Sequence, residues 1–463
     1  MAVLGEQVDL EIVDLGRDGR GIGRIDGQVV FVDGGLPGEQ VRIRLTGRAR
    51  GHLLARMEKV LTPSPARRRP PCILADHCGG CSLQALEDGA EREWKQAHLG
   101  ESLRRIAGLE APEQPLLASQ EALGYRNRAI IPLERGEAGR LRAGFYRRGT
   151  HRIVNMNHCP VLDPRLDALI APLKADLEAT GWPVNREADP AAPGGLRHLA
   201  LRVGHHSGEL LICLIASRDC LSGLEEVAAV WMERWSQLVG VCLNLQPEPT
   251  NLLMGSETRT IAGRGWLSER FAGLRYRIAA DTFFQVNTLQ AERVVALLAD
   301  ALGPTPGGLV DAYCGIGTYS LPLAAAGWQV HGIEQHGAAV SLAGVNAAEN
   351  GLADRATFET ASVGTVLAAR LAPLQGKVDA LLLDPPRKGL DAPTLAAIEA
   401  RPPALVAYLS CDPATLARDL GRLCGTTGTD DTPRGPYRLR SVQPLDFFPN
   451  TTHVEALAVL ERR

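Results

Sequence analysis

The chain has 463 residues, which at roughly 100–200 residues per domain predicts two to four domains rather than one. Apolar residues make up 45% and charged residues 22%, and 50 basic against 53 acidic side chains leave a net charge of −3. These values exclude disordered and fibrous classes and a uniformly basic nucleic-acid binder, but not a local basic patch. The first residues, acidic from Glu6, lack the basic flank and apolar run of a signal peptide, and no stretch of about 18 apolar residues predicts a membrane span. Ten unevenly spaced cysteines then point to reduced thiols with metal or catalytic roles, in a soluble cytoplasmic protein.

Residues 1–62 read as five short strands, Val8–Val13, Gly21–Ile25, Val29–Val32, Val41–Leu45 and Leu53–Val60, separated by Gly-rich turns. Short strands without an intervening helix suit a small barrel of the oligonucleotide-binding type. Positions 41–70 carry nine basic residues against the single acid Glu58, whereas the first forty positions hold three basic residues and eight acids. A basic strip on a near-neutral protein is the electrostatic footprint of phosphate contact.

The joint Thr62-Pro63-Ser64-Pro65 and Pro70-Pro71 opens a mixed α/β region over 63–275. A helix is expected around Glu87–Ile106 and another near Pro164–Thr180, with strands at Arg126–Leu133, Arg142–Arg147, Leu196–Val203 and Glu209–Ala216. Arginines interleaved with Tyr125, Phe145 and Tyr146 suit phosphates and unpaired bases. Cys72, Cys78 and Cys81, with Cys159 far downstream, supply four thiolates, and the tight His77-Cys78-Gly79-Gly80-Cys81 turn favours a metal site. Spacing alone leaves zinc and an iron–sulfur cluster both open.

From 276 to 463 strands and helices alternate, which implies a doubly wound parallel sheet of Rossmann-like type. Asn287 and Gln290 read as a capping box for a helix to Ala301. Strands follow at Gly308–Ala312, Gln329–Ile333, Ala356–Glu359, Val378–Leu383 and Leu405–Leu409, with a helix from Thr318 and another opening at Pro413. The loop Asp311-Ala312-Tyr313-Cys314-Gly315-Ile316-Gly317-Thr318 lets backbone approach a ligand at the carboxyl edge, but Ser320 stands where a dinucleotide fingerprint needs glycine. Glu334 closes the next strand where a carboxylate can accept ribose hydroxyls, and Asp384-Pro385-Pro386-Arg387-Lys388-Gly389 follows an apolar run. This order points to an S-adenosylmethionine-dependent methyltransferase domain.

Ser410-Cys411-Asp412-Pro413 places a thiol at the same edge, where a helix N-terminus favours thiolate. A free cysteine is ordinarily a small buried hydrophobe, but beside a methyl-donor pocket it suggests covalent catalysis. Thiolate addition at C6 of uracil makes C5 nucleophilic, and a base must afterwards remove the C5 proton. Thr452-His453-Val454-Glu455 offers Glu455, with His453 expected on the same face of one strand.

Together these segments resemble the RumA/TrmA family of RNA (uracil-C5) methyltransferases over nearly the whole length, and specifically its cluster-bearing bacterial type that modifies 23S rRNA. The resemblance implies a TRAM domain over 1–62, a central RNA-binding and iron–sulfur domain over 63–275, and a methyltransferase domain over 276–463. It implies Cys411 as nucleophile, Glu455 as base, and Gln285, Tyr313, Thr318, Glu334 and Asp384 as contacts to S-adenosylmethionine. Phe283, Phe284 and Asn287 become candidates to surround an extruded uracil. Cys72, Cys78, Cys81 and Cys159 match the ligands of a [4Fe-4S] cluster, with zinc as the alternative occupant. The implied partner is RNA, foremost 23S rRNA, engaged by a cytoplasmic monomer without membrane or protein partners. Alternatives are the same chemistry on tRNA, an amino-group methyltransferase using Asp384-Pro385-Pro386, and an RNA-binding assembly factor with a vestigial donor pocket.

Overall fold

A computed structural model describes residues 4–463 apart from 111–113, 137–138, 185–193, 249, 251, 373–378 and 427–434. The expected strand start at position 378 lies outside the described residues. The N-terminal strands form a six-stranded sheet, ordered Gln7–Glu11, Gln40–Ala49, His52–Thr62, Gln28–Asp33, Gly21–Ile25, Asp14–Leu15. Six strands replace the expected five because the 8–13 segment bends between partners: Ile12 N–H donates to Glu39 O and Val13 N–H to Ile22 O. The two edges of the sheet are thus successive pieces of one segment, and the sheet curls. Gly23 permits this, since a Cβ there would lie 1.8 Å from Leu10 Cδ1. Ile12, Val30, Val32, Val41, Ile43 and Leu53 fill the interior.

The basic strip is partly neutralised from within. Arg42 pairs with Asp9, Arg44 with Glu58, Arg67 with buried Glu39, and Arg68 with Asp88.

The central region holds a second six-stranded sheet, ordered Glu257–Gly263, Leu238–Leu245, Leu210–Ala216, Leu196–Val203, Arg128–Arg135, Leu141–Ala143. The last strand stops at Ala143 instead of running to Arg147, because from Phe145 the chain pairs with its own return: Val154 N–H donates to Phe145 O and Arg147 N–H to Arg152 O. The expected helix Glu87–Ile106 is α-helical over Asp88–Ser102 and continues as a π-helical turn, Leu103–Ala107. Its Leu99 and Leu103 pack with Val310, Leu381 and Val406, so this helix covers the C-terminal sheet rather than the central one.

That sheet has seven strands, ordered Ala356–Thr360, Gln329–Glu334, Gly308–Ala312, Asp379–Leu383, Leu405–Ser410, Glu455–Arg462, Tyr437–Leu445. The first five are parallel, and Glu455–Arg462 runs antiparallel to both its neighbours. Strands buried on both faces carry apolar residues toward both sides: Leu309, Leu382 and Ala407 join one core, and Val310, Leu381 and Val406 the other. The hairpin Trp266–Phe271 and Leu274–Ala279 crosses the 275/276 border and buries Phe271 and Tyr276 in the first of these cores. Among the described residues no helix is long and apolar enough to cross a membrane.

Candidate active site

Parallel strands end their carboxyl edges together, and side chains following several of them meet at one place. Here they line a cavity of about 740 Å³ that contains Gln285, Tyr313, Gly315, Glu334, Asp384, Arg387, Cys411, His453 and Glu455. The four cysteines Cys72, Cys78, Cys81 and Cys159 line the same cavity, joined by Phe145, Phe283 and Phe448.

The loop after Gly308–Ala312 turns through three left-handed residues, Tyr313 (φ 72°), Gly315 (φ 56°) and Gly317 (φ 83°). Tyr313 is not glycine, and its strained backbone is held by N–H donation to Ile333 O at 2.9 Å. This turn displaces the expected helix start from Thr318 to Ser320. Thr318 is buried, does not line the cavity, and accepts from Tyr276 through its carbonyl. Glu334 accepts from Gly315 N–H at 3.3 Å and from His336 N–H at 2.8 Å, which orients its carboxylate beside the loop. Gln285 Nε2 donates to Asp384 Oδ2 at 3.3 Å.

Three carboxyls crowd beneath this loop. Burial, with Glu334 nearby, raises Asp311 to about 7; burial, Glu455 and Asp311 push Asp384 well up; burial raises Glu455 to about 7 against the pull of Arg387. A cavity lined by such carboxyls offers acceptors to ribose-like hydroxyls, and a positive centre bound there would favour their ionised forms.

Cys411 follows the strand Leu405–Ser410. Burial, then the Glu455 carboxyl, raises its thiol to about 11, and Arg387 opposes the shift. The expected help from the helix N-terminus is not available, because the Asp412 side chain caps that helix, accepting from Ala414 N–H and Thr415 N–H. The resting sulfur is therefore a neutral thiol. His453 and Glu455 both reach the cavity, but only Glu455 lies in the final strand; His453 precedes it.

Adjacent phenylalanines diverge. Phe283 is 56% exposed at the cavity, whereas Phe284 is buried against Phe271 and Tyr276, with ring centroids 5.4 and 6.2 Å away. Asn287 is also structural: it caps the helix Thr288–Leu302 and donates to Ser119 Oγ and Phe447 O. The capping box is one-sided, since the Gln290 amide donates to Leu117 O instead of reaching back. Phe284 and Asn287 thus do not surround a base. Arg387 also lines the cavity, and motif reading assigned it no role although it stands inside the Asp384–Gly389 segment.

The four cysteines are all half-buried. Burial and then the neighbouring Cys159, together with Cys78 and Cys72, push Cys81 up to about 12, and burial with those neighbours raises Cys159 to about 11. Thiols that raise one another suit a polycationic centre. Leu74 N–H and Gly80 N–H approach Cys72 and Cys78 sulfurs at 3.4 Å, as amides do around ligating thiolates. Among the described residues no group of three His, Cys, Asp or Glu side chains is disposed to hold a metal ion.

Residues 266–463 match the family described as tRNA (Uracil-5-)-methyltransferase, and residues 2–57 match the TRAM domain. An uncharacterised RNA methyltransferase of Parasynechococcus marenigrum is 49% identical over 460 residues, 99% of this chain and 96% of that protein. One from Synechocystis is 44% identical over 459 residues, covering 99% of this chain and 96% of the relative. The crystal structure of Pyrococcus abyssi tRNA (uracil-54, C5)-methyltransferase with S-adenosyl-L-homocysteine superposes with a TM-score of 0.76 at 25% identity, covering 98% of this chain and 100% of that one.

Proposed function

The chain belongs to the TRAM-containing RNA (uracil-5-)-methyltransferases, S-adenosylmethionine-dependent enzymes, and on that premise we propose that it methylates C5 of a uridine in 23S rRNA, with Cys411 as nucleophile and Glu455 as base. The observation that supports this reading is the meeting of Cys411, Glu455, Asp384 and Glu334 in one cavity, from four separate stretches of chain.

Gln285, Tyr313, Glu334 and Asp384 would hold S-adenosylmethionine, which when bound supplies an electrophilic methyl on a positively charged sulfur. Thr318 can contribute only from beneath the loop. Cys411 first gives its thiol proton to solvent water, the thiolate Sγ adds to C6 of the uracil, and the displaced electron pair moves onto C5 and O4. Once C5 carries the methyl, Glu455 takes the C5 proton, the C5–C6 double bond re-forms, and Cys411 leaves as thiolate. Arg387 faces both reacting groups, lowering the thiol and the carboxyl together. A base within a stem cannot reach Cys411, so the uridine is extruded or single-stranded, with Phe283 offering a face for stacking.

Cys72, Cys78, Cys81 and Cys159 would hold a [4Fe-4S] cluster, which supplies a rigid tie between the 72–81 loop and Cys159. The methylation transfers no net electrons, so the tie serves structure or RNA docking. A monomer in the cytoplasm suffices, since cavity and RNA-binding domain reside in one chain.

RNA carrying 5-fluorouridine tests the reading. Fluorine at C5 cannot leave as a proton, so protein and donor should form an SDS-resistant adduct that maps to Cys411 and is absent from Cys411→Ser; its absence from the intact protein sinks the assignment. The likeness to the tRNA (uracil-54, C5)-methyltransferase favours tRNA as the second reading. Mapping 5-methyluridine in rRNA and tRNA from cells lacking the chain separates the two.

A further inference from the structure

The loop Phe447–Val454 ends on Glu455 and brings Phe448, Thr451 and His453 to the cavity wall. We propose that Lys95, on the helix Asp88–Ser102, is a positioning residue that sets where Glu455 stands by clamping the start of this loop, an assignment that rests on the function proposed above.

The Lys95 ammonium is fully buried and lies 2.7 Å from both Glu91 Oε1 and Asp446 Oδ1. It donates to Phe448 O at 3.0 Å, so its three N–H groups have three acceptors. Glu91 Oε1 also accepts from Asn450 N–H at 2.8 Å. Asn450 is buried with a left-handed backbone (φ 69°), a conformation that persists in a non-glycine residue only where its surroundings over-determine it. Here they do: the Asn450 side chain accepts from Arg68 Nη2 at 3.0 Å and donates to Ala122 O at 2.7 Å. Tyr125 adds a donor to Pro449 O at 3.3 Å.

None of Lys95, Glu91, Asp446 and Asn450 lines the cavity, yet Lys95 and Glu91 hold the backbone of Phe448 and Asn450, beside or within the stretch that does. Burial holds Glu91 up at about 7 even beside the ammonium, and Asp446 adds to the rise. Without Lys95 two buried carboxyls would face each other with no counter-charge, and the loop would move away from them. Cys411 lies beyond a different strand, under the separate Asp412 cap. Loosening the clamp should therefore slow removal of the C5 proton while leaving thiol addition and methyl transfer able to proceed.

The test uses the full chain, donor and ordinary uridine-containing RNA, with Lys95→Met and Asn450→Gly as variants. Asn450→Gly keeps every charge and suits the left-handed backbone, so it decides the matter if Lys95→Met does not fold. Expected are a fall in kcat of about tenfold or more, little change in KM for RNA, unchanged donor binding by calorimetry, and an SDS-resistant methylated adduct more abundant than in the parent protein. A variant that binds donor and loses turnover without accumulating adduct overturns the assignment, as does one with unchanged kcat. The parent protein on 5-fluorouridine RNA is run in parallel. Failure to trap there brings down the proposed function and this inference with it, whereas trapping there without accumulation in the variants brings down the role of Lys95 alone.

Discussion

Arg387 donates to the ring of His453, its Nη2 lying 3.0 Å from Nε2, and this contact joins the turn after Asp379–Leu383 to the loop that ends on Glu455. Burial, followed by Arg387, lowers His453 to about 4, so the ring is neutral at pH 7 and accepts the bond. Because Arg387 also draws down Cys411 and Glu455, Arg387→Gln should raise both. Turnover at neutral pH is expected to fall by on the order of tenfold or more, with the profile displaced to higher pH and partial recovery in Arg387→Lys. A pH–rate series on the three proteins checks this.

Glu455 must be ionised to accept a proton, and its carboxyl sits at about 7. Raising pH through 7 populates the working base, and lowering it removes that base, so kcat should decline as pH falls below about 7 rather than near an ordinary carboxylate value. Glu455→Gln should flatten that limb and cost about 10²–10⁴ in rate while adduct accumulates.

Phe283 and Phe284 should behave as opposites. Stacking on an aromatic is worth about 1–3 kcal/mol per base, so Phe283→Ala should raise KM for RNA roughly five- to hundredfold with melting unchanged. Phe284→Ala removes a buried core ring and should cost about 3–5 kcal/mol of stability. Steady-state kinetics and thermal melting together distinguish them.

Gly332 lies beneath the donor loop. A Cβ there would stand 2.5 Å from Phe358 Cδ1 and 2.7 Å from Cys314 Sγ. Gly332→Ala should cost about 1–3 kcal/mol through overpacking and weaken donor binding by calorimetry, because Cys314 must yield and the loop with it.

Cys78→Ala should lose iron and the broad visible absorbance of an iron–sulfur centre, and bind RNA more weakly while still binding donor. Iron analysis, absorbance and an RNA-binding assay are the measurements. A variant without iron but with normal turnover and RNA affinity would falsify the proposed role.

Much of the architecture is local and was readable in order. The strands Gly21–Ile25, Leu196–Val203 and Gly308–Ala312 have the bounds that their apolar runs predict, and the strand–helix alternation after 276 yields the doubly wound sheet. Cys411, Glu334 and Asp384 could be singled out because parallel strands deliver the residues at their carboxyl ends to one edge, and Glu455 reaches the same edge because it begins the antiparallel strand Glu455–Arg462.

Charge state and burial were not readable, because both depend on partners distant in the chain. Asp412 takes the helix-terminal N–H groups that motif reading assigns to Cys411, and only the folded cavity buries that thiol and brings Glu455 near it, both of which raise it. Phe283 and Phe284 are the same residue type in neighbouring positions, and the core formed by Phe271 and Tyr276 selects which one turns inward. Nothing in the sequence singles out Glu91 and Lys95; Asp446, 351 positions after Lys95, meets them only on folding and makes them a buried clamp. Sequence thus determined the strands, the motifs and the edge at which they end, since these follow from nearest-neighbour chemistry. Tertiary packing decided which groups are ionised, which faces are inside and what holds Glu455 in place, since dielectric environment and burial are set by segments that meet only on folding.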